Sequence, residues 1–376
     1  MPGFEIINIE EKKAVSNLFD EGGILFAHGF ENLRKKFHVR EFEKNFSKKM
    51  KCKHSLAVTS GTAAIKIGLK ALGVNPGDEV ITQSFNFIAT IEAILDIGAK
   101  PVMVNINENL NMDLSELEKK INKRTKVILP VHMLGNSCEM DKIIKIAKKY
   151  KLKILEDNCE SIGGKYKKKY LGTLGDVGVF SFDFGKTITT GEGGMIVTNK
   201  KKYFDFCNEY HDHGHQNLKK YSRGNDRAKF PGFNYRMTEL QGVIGKIQLK
   251  KLDYILSENK KRYSSLKKLI KKNFDLRIPP NSSEESYDVL IIKDIKDSKI
   301  KKKILKLLTD NNFGTKNLPG AIRWHCSYYW KHAIDNDQIK KSLKTKKILE
   351  NSIAIPIWLK KSVNNYKDLG KLLLKI

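Results

Sequence analysis

The 376-residue sequence predicts an α/β fold: a large domain built on a mainly parallel sheet, followed by a smaller α+β domain at the C-terminus. Three observations predict it. From residue 55 to about 200, short β-type runs alternate with helical stretches, the pattern of a parallel sheet with helices on both faces. After about residue 250 the texture changes to long lysine-rich helical stretches around one strong strand. The length is too great for one compact core, so a division into residues 1–250 and 251–376 is expected.

Each element has a local reason. SLAVTSG reads as a strand, and TAAIKIGLKALG follows as a helix that Ser60 or Thr62 can cap and Gly73 can end. DEVITQSF and KPVMVNI are strands flanking the helical NFIATIEAILDIG. DLSELEKKINKR is a helix with Asp113 as cap, TKVILPVHML a strand, MDKIIKIAKKYK an amphipathic helix and KLKILEDN a strand. GDVGVFSFD and GGMIVTN are strands too close for a helical crossover, either antiparallel neighbours or parted by an irregular loop. In the second domain, IQLKKLDYILSENKKRYSSLKKLIKKN and SKIKKKILKLLTDNN read as helices around the strand SYDVLIIKDI.

Composition excludes several function classes. Hydrophobic residues make up 40% and charged residues 30%, ordinary values for a globular chain. No apolar run reaches the 18 residues of a membrane span, and the start lacks a secretory leader pattern. The five cysteines (Cys52, Cys138, Cys159, Cys207, Cys326) are scattered without a CxxC, as in a cytoplasmic protein with reduced thiols. The net charge of +28 first suggests nucleic acid, but only nine of the 70 basic residues are arginine and the lysines run from end to end. Such a distribution is compositional bias, with attraction for anionic substrates as a side effect. Neither a nucleic-acid nor a membrane partner is expected.

The chemistry is concentrated in residues 154–197. Asp157 ends one strand, where open α/β sheets place their ligands. About thirty residues on, a second strand carries Ser181, then Lys186 and the flexible Gly191-Glu192-Gly193-Gly194. A carboxylate, a hydroxyl and a lysine amine at the ends of neighbouring strands suit pyridoxal phosphate. The amine forms a Schiff base with the cofactor aldehyde, and the aspartate keeps the pyridine nitrogen protonated. The competing reading of Lys186 is a surface lysine in a turn. A P-loop fails at Gly185-Lys186-Thr187, because the required earlier glycine is Phe180 and TITTGEGG cannot begin a helix.

TSGTAA (59–64), QSFNFIAT (83–90), LEDNCESIGGKY (155–166), GTLGDVGVFSFDFGKTITTGEGG (172–194) and GFNYRMTELQGVIGKIQL (232–249) match, in order, the blocks of a known family. Across nearly its whole length the chain resembles the DegT/DnrJ/StrS family of sugar aminotransferases, which have the aspartate-aminotransferase-like architecture, pyridoxal-phosphate fold type I. MPGFE and HDHGH are nearest to members that aminate position 8 of a 3-deoxy-octulosonic acid. The resemblance implies a homodimeric transaminase of amino-sugar and cell-surface polysaccharide biosynthesis. A keto-sugar would be the acceptor and an amino acid, glutamate by preference, the donor.

The same resemblance assigns roles by position. Lys186 matches the Schiff-base lysine and Asp157 the pyridinium partner. Gly61 and Thr62 match the phosphate-holding turn, and Ser181 a phosphate-binding hydroxyl. Phe87 matches the aromatic over the cofactor ring, against a plain core phenylalanine. Glu160 stands where a residue near the ring hydroxyl, often glutamine, is found. Asn234 matches a phosphate ligand given by the neighbouring subunit, against a local helix cap. A related branch replaces the lysine with histidine and dehydrates sugars, so Lys186 favours transamination over dehydration. An intact Asp157, Ser181 and Lys186 set speaks against a non-catalytic regulator that binds sugar or DNA.

Two further clusters carry weaker readings. His211, His213 and His215 would share one face of a strand, yet no cysteine or carboxylate completes a metal pattern, so no metal is expected and a substrate-lining or structural loop is preferred. Arg223 and Arg227, close after them, could fork onto an acidic sugar. The run from Arg323-Trp324-His325 to Tyr328-Tyr329-Trp330 could touch a sugar, with core packing as the default.

Overall fold

The structure, a computed structural model, describes residues 2–218 and 220–376; Met1 of the MPGFE opening lies outside them. Strands β1 (His54–Val58), β2 (Glu79–Gln83), β3 (Lys100–Val104), β4 (Thr125–Leu129) and β5 (Lys153–Asp157) follow the alternation in the sequence. A two-residue hairpin, β6 (Lys165–Tyr166) and β7 (Lys169–Tyr170), precedes β8 (Val177–Ser181) and β9 (Gly194–Thr198). The central sheet has seven strands in the order β1-β9-β8-β5-β4-β2-β3. Only β9 runs against its neighbours β1 and β8; the pairs from β8 through β5, β4 and β2 to β3 are parallel. The two close-set strands are therefore antiparallel neighbours.

Three helices come before the sheet: α1 (Pro2–Glu5), α2 (Ile9–Asp20) and α3 (His38–Met50). The crossovers are α4 (Gly61–Ala71), α5 (Ala89–Asp96), α6 (Leu114–Lys120) and α7 (Met140–Lys149), with α8 (Lys201–Tyr210) after β9. Ser60 rather than Thr62 caps α4, its Oγ accepting from the Ala63 N–H at 3.1 Å, and Gly73 adopts φ +83° just past its end. Asp113 caps α6 through the Ser115 N–H. The helix read from Asn86 begins only at Ala89, leaving Phe87 in the loop after β2.

Both faces of the sheet are covered. On one, Phe42 and Phe46 of α3 meet Phe180 and Phe182 with ring centroids 5.0–5.7 Å apart, all four fully buried. Each such ring contributes about 2–3 kcal/mol by leaving water. Helix α9 (Glu239–Ile270) packs on the same side. Thr238 and Gln241 form a reciprocal capping box that fixes its first turn. Residue 250, where the sequence divides the chain, lies inside this unbroken 32-residue helix.

The C-terminal part holds β10 (Ser283–Glu284), which joins the β6–β7 hairpin, and a two-stranded antiparallel sheet of β11 (Val289–Ile292) and β12 (Ile353–Pro356). Helices α10 (Ser298–Asp310), α11 (Ile322–His325), α12 (Asn336–Lys341), α13 (Leu343–Glu350) and α14 (Val363–Leu373) complete it. Tyr263, Leu266 and Ile270 of α9 pack there with Leu290, Ile292, Ile353, Ile355 and Tyr366. This gives the second half of α9 an apolar core of its own.

Candidate active site

Parallel strands bring their C-terminal ends to one edge, and the site lies there. Asp157 closes β5, and the register Asp157↔Val179 sets Ser181, two residues further, at the same edge of β8. The loop from β1 turns into α4 beside them, and the loop from β8 to β9 carries Lys186. A cavity of about 360 Å³ is lined by Gly61, Thr62, Phe87, Asp157, Ser181 and Lys186 among others.

Asp157 is 3% exposed and held at both oxygens: Thr90 Oγ1 donates at 3.0 Å to one, and the Cys159 N–H at 3.1 Å to the other. Behind it, a fully buried His132–Glu156 pair at 3.1 Å, with Gly172, Leu174 and Gly175 N–H groups donating to Glu156, stiffens the end of β5. The α4 N-terminus opens on the cavity. Helix geometry leaves the Gly61 and Thr62 N–H groups without intrahelical partners, and the helix dipole favours an anion there. Gly61 has no room for a side chain, since a Cβ would lie 2.9 Å from Ser181 Cβ and 3.1 Å from Cys159 Sγ. A bare backbone beside a serine hydroxyl is a cradle for a phosphate.

Lys186 Nζ lies 3.6 Å from Glu160 Oε1. Burial works to lower the lysine pKa, but Glu160, Cys159, Asp183 and Asp157 together hold it above the usual lysine value. Burial likewise favours neutral Glu160, yet Lys186, Lys316, His325 and Asn317 bring its carboxyl down to about 2. Asn317 Nδ2 donates to both Glu160 oxygens at 3.2 Å, and His325 Nε2 is 3.9 Å away. Phe87, 43% exposed, stands at the rim with its ring 5.3 Å from that of His325. It is not a core residue. An amine, a fixed carboxylate, a phosphate cradle and an exposed ring in one cavity fit pyridoxal phosphate.

Residues 30–370 match the DegT/DnrJ/EryC1/StrS aminotransferase family. The chain belongs to this family. It is 38% identical over 253 residues to the GDP-perosamine synthase of Escherichia coli O157:H7, covering 67% of this chain and 66% of that one. The GDP-perosamine synthase of Caulobacter vibrioides is 42% identical over 218 residues, 57% of each chain. The alignments thus span 57–66% of these curated relatives' lengths. The aminotransferase from Psychrobacter cryohalolentis superposes with a TM-score of 0.85 at 26% identity, over 97% of this chain and 95% of that one.

Within this DegT-family frame, the structure decides three open readings, and for Trp330 it bears out the core-packing default. The histidines do not share a face: His211 is buried at the end of α8, His213 is exposed with φ +56°, and His215 lies 3.4 Å from Asp226. The chain turns here instead of extending. Arg223 is not free for a substrate, because its fork binds the buried Asp212 at 2.5 and 2.7 Å, with Arg236 at 2.7 Å on the same carboxylate. Trp330 is core, 1% exposed and bonded to the Arg323 carbonyl, whereas His325 from the same stretch reaches the cavity.

Asn234 stands apart from this cavity within one chain. It is exposed, and its side chain accepts only weakly from the Arg236 N–H at 3.4 Å. Thr238, not Asn234, caps α9. The sequence reading missed Lys316 and Asn317, which line the cavity from the C-terminal part. Lys316 is held by buried Asp288 at 2.7 Å. A motif search has nothing to find there, because one lysine in a lysine-rich chain carries no local signature.

Proposed function

We propose that the chain is a pyridoxal-phosphate aminotransferase that converts a keto-sugar to an amino sugar, with an amino acid, by preference glutamate, as donor. The observation that carries this reading is the convergence of Lys186, Asp157, Ser181 and the α4 N-terminus on one cavity. When bound, the cofactor supplies an aldehyde for a lysine amine and a protonated pyridine ring that draws electrons from a substrate carbon. Asp157 keeps that ring proton in place, and its two fixed hydrogen bonds prevent the carboxylate from turning away. Ser181 and the Gly61 and Thr62 N–H groups hold the phosphate. Lys186, once free, carries a proton to and from the donor carbon as general base. Glu160 and Asn317 orient that amine.

Lys186 separates this reading from a sugar dehydratase, since a primary amine both anchors the cofactor and returns the proton. The first test is borohydride reduction of the protein loaded with cofactor. Wild-type protein should retain the cofactor covalently at Lys186, and Lys186→Ala should retain none. Trapping at another lysine would sink the assignment.

For the acceptor we favour a nucleotide-linked keto-sugar over the 8-keto-3-deoxy-octulosonic acid that MPGFE and HDHGH suggest. Arg223 is engaged by Asp212, which leaves only the exposed Arg227 of that pair for an acidic sugar. The two curated relatives described above are named for a nucleoside-diphosphate sugar, GDP-perosamine. Turnover of the two acceptor types with labelled glutamate decides between them. Preference for the octulosonic acid would overturn the acceptor choice and leave the transaminase reading standing.

The second subunit's role is also proposed. Asn234 is exposed and its side chain has only the long 3.4 Å contact from the Arg236 N–H on its own chain, which suits a loop that reaches a partner's phosphate site in a two-fold homodimer. Among the described residues no helix is long and apolar enough to cross a membrane. With scattered reduced cysteines, this supports a cytoplasmic setting.

A further inference from the structure

We infer that the N-terminal residues Gly3–Glu5 are a strap that positions Lys186, tying its loop to the C-terminal part of the molecule. The inference rests on the proposed role of Lys186. Four contacts carry it. The Gly3 N–H donates to the Lys186 carbonyl at 3.3 Å. Gly3 is buried so tightly on that loop that a Cβ would sit 2.6 Å from the Lys186 carbonyl oxygen and 3.1 Å from backbone atoms of Ile188 and Thr189. No other residue type fits without displacing the strap or the loop. The Phe4 ring then stands between Phe184, a wall of the cavity, at 6.4 Å and Trp358 at 6.5 Å. Glu5 finishes the link, its carboxylate accepting the Leu359 N–H at 2.9 Å and the Lys360 N–H at 3.1 Å.

The far anchor is firm. Trp358 Nε1 donates to the Phe313 carbonyl at 2.9 Å, and the Tyr366 hydroxyl accepts the Trp358 N–H at 2.6 Å. The lysine loop needs such support. It runs from Phe182 to Gly193 between two strands, crosses the glycine-rich turn, and holds Lys186 by the 3.0 Å bond from its N–H to the Asp183 carbonyl. A general base that drifts by an ångström loses much of its rate advantage. Gly3 and Glu5 are positioning residues: they touch the loop and its anchor, not the substrate.

The test uses the full chain, Gly3→Val, Glu5→Gln and a chain lacking residues 2–5. In cofactor-free protein, hydrogen exchange of the Lys186–Gly191 amides should quicken about tenfold in Gly3→Val and the shortened chain, and less in Glu5→Gln. The rest of the sheet should exchange as before. In loaded protein, kcat for the donor half should fall about tenfold while the donor KM changes less than about threefold, the split expected of lost positioning. Unchanged exchange in that loop overturns the strap, and so does a speed-up spread evenly over the chain, which marks general destabilisation. Borohydride trapping on the wild-type protein reports separately on Lys186. If trapping falls elsewhere, the parent reading fails while the exchange data still decide whether the strap holds the loop.

Discussion

At the scale of single residues, the site is governed by which charges are fixed and which are free to change. Asp157 has no freedom: Thr90 and the Cys159 amide hold both oxygens. Asp157→Asn should therefore bind the phosphate end nearly as before but lose turnover by about a hundredfold or more, because the ring proton has no anion to hold it. Near-normal single-turnover rates in that variant would reject the role. Glu160 makes a different prediction. Its carboxylate is the strongest influence raising the Lys186 pKa, and cofactor capture needs the neutral amine. A raised pKa keeps less neutral amine at a given pH, so removing the negative charge moves the titration down. Glu160→Gln should capture cofactor about threefold faster or more near pH 7–8, with the rising limb of its pH–rate profile shifted to lower pH. Stopped-flow absorbance measures this directly, and an unshifted limb would show that Glu160 does not tune the lysine.

At the scale of elements, the α4 N-terminus shows why part of the site could be read from sequence. A cap at Ser60 or Thr62 and an apolar helix behind it are local features, visible within ten residues, whereas the phosphate role of Gly61 came with the family resemblance. Asp157 was legible from local sequence, since it closes a predicted strand, the end at which open α/β sheets place their ligands. Lys316, Asn317 and His325 were not assigned to the site because their place depends on how the β11–β12 sheet docks, which no local pattern records. β12 itself went unread: its short SIAIPI run becomes a strand only by pairing with β11. The alternation of the histidine run is a strand signature, yet the structure makes a turn through Asp212 and Gly214, in keeping with the structural-loop reading. Gly61→Val tests the cradle. Its side chain must push on Ser181, costing about 1–3 kcal/mol and weakening phosphate binding at least about tenfold. Calorimetric titration of the cofactor and a thermal melt separate the two effects, and wild-type affinity in a folded Gly61→Val protein would remove the phosphate from this turn.

At the scale of the whole molecule, the proposed homodimer predicts complementation. Lys186→Ala chains and Asn234→Trp chains should each be inactive alone. Asn234 is exposed, so the bulky substitution leaves the protomer's own packing intact. Under a shared site, a mixed dimer has one site with both lesions and one with neither, and about half of its sites work. Proven heterodimers that stay inactive would confine Asn234 to its own chain.

Helix α9 adds a mechanical consequence. At 32 residues it is a rod about 48 Å long. Its first turn grips the lysine loop, where Gln241 Nε2 donates to the Glu192 carbonyl at 2.7 Å, and its far half carries the C-terminal apolar core. A stiff rod amplifies: a tilt of about 5° at one end displaces the other by about 4 Å over that length. Small adjustments beside Lys186 and large excursions of the C-terminal sheet are thus two readings of one rotation. A distance label at the far end of α9, paired with one on the central sheet, would register the large excursion long before any change at the lysine itself became measurable.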